Sequence, residues 1–71
     1  MRPKIIYTNH ARQRMAERNI TEDEIEQVLV WPDYMISSGD RNSMAAKKIG
    51  GRDIRIVYKA QRERIIVITA Y

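Results

Sequence analysis

His10, the single histidine of this 71-residue chain, is followed at four-residue steps by Arg14 and Arg18. On an α-helix these three side chains fall within an arc of roughly 80°, so one stripe carries an imidazole and two guanidiniums. An imidazole exchanges protons near neutral pH, and a guanidinium holds phosphate oxygens in a fixed fork. The stripe borders the apolar line of Ala11 and Met15, a margin position that suits a pocket wall. Such a set could support metal-free cleavage of RNA. That reaction needs a group to take the 2′-hydroxyl proton, another to protonate the leaving 5′-oxygen, and positive charge on the strained phosphate. In this scheme His10 is the base or acid, Arg14 and Arg18 hold the phosphate, and Tyr71, Tyr58 or Lys48 is the proton partner. Arginine cannot be the base, because its pKa exceeds about 12. The scheme requires His10 to lie near the sheet residues.

Each of these residues also has a structural reading. A histidine one position after a helix cap serves as a local hydrogen-bonder. Arg14 and Arg18 can pair with Glu17 or Glu22, each exposed pair contributing only about 0 to 1 kcal/mol. Tyr58 and Tyr71 alternate with aliphatic residues and so can fill a sheet face, with base stacking as the functional option. Lys47 and Lys48 suit a strand edge, where charge deters aggregation. Trp31, just before Pro32, reads as a core anchor at a helix end. Asp40 and Asp53 could form a carboxylate pair, but turn chemistry accounts for both, and no second acidic cluster supports a magnesium site.

These residues must be positioned by one small domain, residues 1–71, near the size where a single core only just offsets the entropy of folding. Hydrophobic residues make up 44% and charged residues 31% of the chain, with phenylalanine absent, which predicts a globular fold with an aliphatic core. There is no cysteine, so no disulfide framework is expected, and one histidine without thiols cannot build a structural zinc site. Neither metal nor cofactor is expected. No apolar run approaches the roughly 20 residues that cross a bilayer, and the opening residues lack a signal-peptide layout, which points to the cytoplasm and away from membranes. The net charge of +4, with nine of thirteen basic residues arginine, favours a polyanionic partner. On charge alone that reading and the plainer one, in which the charge serves solvated faces or an acidic protein partner, stand even.

Lys4 to Tyr7 reads as a short strand, after which Thr8 or Asn9 caps a helix ending near Asn19. Thr21 and Glu24 have capping-box spacing, acidic residues fill the first turn, and Ile25, Val28 and Leu29 form an apolar face. The second helix ends at Trp31 and Pro32. Tyr34 to Ser37 is then a strand, Gly39 to Ser43 a turn and Ala45 to Ile49 a strand closed by Gly50-Gly51, a hairpin signal. Asp53 to Lys59 alternates Ile54, Ile56 and Tyr58 against Arg55, Val57 and Lys59. Gln61 to Glu63 turns into a final strand, Arg64 to Tyr71, apolar on both faces as an interior strand would be. The expected fold is α+β: a short N-terminal strand, two helices and a four-stranded antiparallel meander, with the helices over Ile66, Ile68 and Ala70. Thr69 and Tyr71 then point to the open face.

The run His10-Ala11-Arg12-Gln13-Arg14-Met15, then Arg18, Ile20-Thr21, Glu24-Ile25, Ile49-Gly50-Gly51, Ile54 to Tyr58 and Ile65 to Tyr71, resembles a widespread family of small bacterial and phage domains of unknown function. That family looks related to the RelE and BrnT type of ribonuclease toxin. The resemblance implies a compact α+β domain that acts on RNA in a toxin-antitoxin system and is neutralised by an acidic antitoxin-like protein. It also implies candidate positions: His10, Arg14 and Tyr71 for catalysis, and Arg14, Arg18, Lys48 and Thr69 for contact with nucleic acid, to which the base-stacking option read from the strand pattern adds Tyr58. With no second histidine, a paired-histidine acid and base scheme is excluded. Whether the chain cleaves RNA, or only binds nucleic acid or an acidic protein through the helix-1 stripe, stays open, as does its oligomeric state.

Overall fold

The computed structural model describes residues 4–37 and 42–71. Gly39, Asp40 and Arg41 of the expected turn lie outside the described residues, and with Asp40 so does the imagined carboxylate pair. The order is β1 (Lys4–Tyr7), α1 (Asn9–Arg18), α2 (Glu22–Val30), β2 (Tyr34–Ser37), β3 (Ser43–Ile49), β4 (Arg52–Ala60) and β5 (Arg64–Ala70). The fold is α+β, and its strands form one sheet in the order β1-β5-β4-β3-β2. β2 to β5 pair antiparallel in succession, and β1 joins parallel to β5, so the five-stranded sheet is mixed.

Both helices start where a threonine can satisfy free backbone donors. The Thr8 hydroxyl accepts from the Ala11 N–H, and Thr21 makes both bonds of a capping box with Glu24. α1 ends at Asn19 in the left-handed region, φ 56°, a conformation asparagine tolerates at a helix end. Gly50 and Gly51 also have positive φ, 59° and 80°, as a two-residue hairpin between Ile49 and its cross-strand partner Arg52 requires.

α1 lies on β5 and β1, and α2 on β3 and β4. Ala11, Met15, Ile25 and Val28 meet Ala45, Ile54, Ile56, Tyr58, Val67 and Ala70 in one buried cluster. The helix-covered side of β5 therefore carries Ile65, Val67 and Ala70, whereas the alternation from Ala70 predicts Ile66 and Ile68. The cause is a bulge: Tyr58 pairs with Val67 but Val57 pairs with Thr69, leaving Ile68 without a partner and shifting the phase by one residue. Ile66 and Ile68 are half-buried on the other face. Trp31 also departs from expectation. The backbone leaves helical geometry there (φ −132°, ψ 68°), and the residue is 73% exposed rather than anchored in the core. Among the described residues no helix is long and apolar enough to cross a membrane.

Candidate nucleic-acid interface

The expected site residues divide among three places. His10, Arg14 and Arg18 lie on α1 in the helical layer, with His10 and Arg18 exposed and Arg14 half-buried. Lys48, Thr69 and Tyr71 belong to the sheet face away from the helices, as cross-strand register and strand alternation require. Tyr58 is buried, 5% exposed, on the helix-covered side. Its ring cannot stack on a base from there, which corrects its assignment as a contact residue, and burial pushes its phenol pKa up while a hydrogen bond with Ser43 pulls it down.

On α1 the charges are partly consumed. Arg14 Nη1 lies 3.4 Å from Glu17 Oε1, one turn on. Arg12 pairs with Glu22 and places its guanidinium 4.3 Å from the centre of the Tyr7 ring, joining α1 to the start of α2 over β1. Tyr7 is held above its ordinary pKa by burial and then by Glu22, with Arg12 acting against them. The His10 side chain makes no hydrogen bond or ion pair among the described residues, and about 12 Å of helix rise separates it from Arg18. Nothing orients the imidazole as the second partner of a catalytic base would.

The structure brings Arg18 and Tyr71 together. They line one cleft of about 70 Å³ with Ile20, Arg52, Asp53 and Ile54. Tyr71 extends the β5 ladder by exchanging two backbone hydrogen bonds with Arg55, of 2.7 and 2.8 Å. Its phenol sits 3.9 Å from the sulfur of Met44, on the open face. Arg55 is thus the cross-strand neighbour of Tyr71, and Lys59 follows it four residues along the same face. Lys48 is exposed on β3 opposite Asp53, while its backbone N–H donates to Asp33 Oδ2 at 2.9 Å.

Arg52 is the functional-looking residue with a structural task. Its guanidinium donates to the carbonyls of Arg18 (2.7 Å) and Asn19 (2.9 Å) and to both carboxylate oxygens of Glu24 (3.2 and 3.3 Å). It closes the carbonyl end of α1, where positive charge is favoured, and ties both helices to β4. Glu24 is held below the ordinary carboxylate pKa chiefly by the Thr21 backbone N–H, with Arg52 adding to the effect. Local spacing could not reveal Arg52, since its partners lie about thirty residues earlier. Arg55 and Lys59 were signalled by their alternation with Val57. Among the described residues no three His, Cys, Asp or Glu side chains gather as a metal site would need.

The family model of the domain of unknown function DUF4258 matches residues 7–71. The chain belongs to the DUF4258 family. No curated protein and no solved structure matches it. The DUF4258 match contains both helices, strands β2 to β5 and every residue of the Arg18–Tyr71 cleft, so the cleft lies within the family domain.

Proposed function

We propose that this DUF4258 domain is an RNA-interacting domain of the toxin type, in line with its resemblance to the RelE and BrnT fold. The observation that carries the reading is the position of Tyr71, which lines the cleft with Arg18 and neighbours Arg55 across the strand. One tyrosine thus links a helical cation to the cations of the open face. A single-stranded RNA following that path would place phosphates near Arg18 and Arg55, a base against the Tyr71 ring, and its continuation near Lys48 and Thr69. Arg14, partly neutralised by Glu17, contributes charge at the margin.

Metal-independent cleavage is the stronger form of the proposal, with His10 as the proton-transfer group. The second reading is non-catalytic binding of nucleic acid, or of an acidic antitoxin-like protein. It is favoured by the unpartnered His10 and its distance of about 12 Å from Arg18 along the helix. One experiment separates them. Wild type, His10→Ala and Arg14→Ala/Arg18→Ala are induced in a bacterial host while growth and total-RNA integrity are followed. Arrest with cleaved RNA from wild type alone supports a ribonuclease. Intact RNA and normal growth from folded wild type, together with salt-sensitive RNA binding in vitro, support the binding domain. RNA binding absent at low salt overturns the RNA reading.

A further inference from the structure

Five of the six large hydrophobic residues that stand exposed among the described residues fall in one short segment: Val30, Trp31, Tyr34, Met35 and Ile36. Tyr34, Met35 and Ile36 form most of β2, which pairs only with β3 and presents its other backbone edge outward. Edge strands are ordinarily blunted by charge, proline or a bulge. β2 has none of these. Among the described residues the charged chain neighbour of the strand, Asp33, turns its carboxylate to β3, accepting from the Lys48 N–H at 2.9 Å with Lys47 Nζ at 3.7 Å. The opposite edge differs, since β1 opens with Lys4 and half-buries the residues after it.

From this we infer that β2 is a self-association edge, and that its occupant is β2 of a second copy of this chain. The absence of charge decides between occupants: an RNA or an acidic peptide finds no cation on the strand, whereas a second copy meets no like charge. The strand is also self-complementary. A two-fold axis normal to the sheet and centred on Met35 keeps the helices of both copies on the same side. It sets Met35 against Met35 of the second copy, and Tyr34 against Ile36 twice. Aromatic to β-branched pairs are favourable across strands, and the free backbone groups of both edges are satisfied together. The result is a continuous ten-stranded sheet.

The test uses the full chain in analytical ultracentrifugation over a wide concentration range, with Ile36→Lys and the single-cysteine variants Met35→Cys and Ser37→Cys. The native chain has no cysteine to interfere. The expected result is a monomer–dimer equilibrium tightened by salt, because two copies of net charge +4 repel each other. I36K should raise the dissociation constant about tenfold or more, a single charge at the seam being enough to oppose pairing. M35C should oxidise to a covalent dimer, since opposed Cα atoms lie about 4.5–5.5 Å apart, within disulfide reach. S37C should not, its two copies lying about 13 Å apart along the strands. A monomer at every concentration, a dimer indifferent to I36K, or equal cross-linking of M35C and S37C overturns the inference. Should I36K fail to fold by circular dichroism, the two cysteine variants still decide, since both replace exposed side chains.

Discussion

The Thr8 hydroxyl donates to the carbonyl of Ile68 at 2.9 Å while accepting the Ala11 N–H at 3.0 Å. A single side chain therefore caps α1 and also satisfies the carbonyl of the residue that the β5 bulge leaves out of the ladder. Thr8→Val keeps the shape and loses both bonds. It should lower stability by about 1–2 kcal/mol, read as a fall in the urea midpoint at unchanged slope. Thr8→Ser should retain most of the loss.

Arg52 should matter for stability more than any other exposed cation. Arg52→Ala frees two helix-end carbonyls and the Glu24 carboxylate, and is expected to cost about 1–2 kcal/mol at pH 7. Glu24 sets the acid response. Its folded pKa lies below the ordinary 4.5, so its contribution is complete above that value and is lost as pH falls through the lower folded value. Glu24→Gln should thus be less stable than wild type at neutral pH, and the gap should narrow in acid denaturation below pH 4.5.

The Gly50-Gly51 turn isolates a backbone effect. A Cβ placed on either glycine meets nothing within 4 Å, so any penalty comes from positive φ alone. Gly50→Val should cost about 1–2 kcal/mol, and Gly50→Asn should be close to neutral, as thermal unfolding would show.

For the RNA reading, the slope of log affinity against log salt on single-stranded RNA should be near −3 if about four phosphates are neutralised. Arg18→Ala and Arg55→Ala should each reduce its magnitude by about 0.7, since each removes one phosphate contact. Lys59→Ala tests how far the path extends, and Tyr58→Phe should leave binding unchanged because the ring is buried. Filter binding at several salt concentrations measures all four.

Much of the architecture is legible in local pattern. Thr21 and Glu24 announce the start of α2, Gly50-Gly51 the tight turn, and the alternation of Ile54, Ile56 and Tyr58 the covered face of β4, because each is governed by near neighbours. The bulge at Ile68 is not legible. Residues 65–68 are all apolar, so a phase shift by one residue leaves no trace in the pattern. The site was legible only as residue types. Helical spacing grouped His10, Arg14 and Arg18, but the meeting of Arg18 and Tyr71 at one cleft depends on where the end of α1 falls relative to the end of β5, a tertiary relation that spacing along one helix cannot carry.

Among the described residues β1 pairs with β5 alone, sixty residues further along the chain, and α1 packs on the same strand. During synthesis both therefore emerge long before the surface they need. The β3–β4 hairpin, closed by two residues, can form early. The opening quarter of the chain must remain unpaired, its apolar side chains exposed, until β5 has left the ribosome. Folding of this domain is in that sense a late event, and a nascent chain halted in β4 would be a target for chaperones or proteases rather than a partly working product.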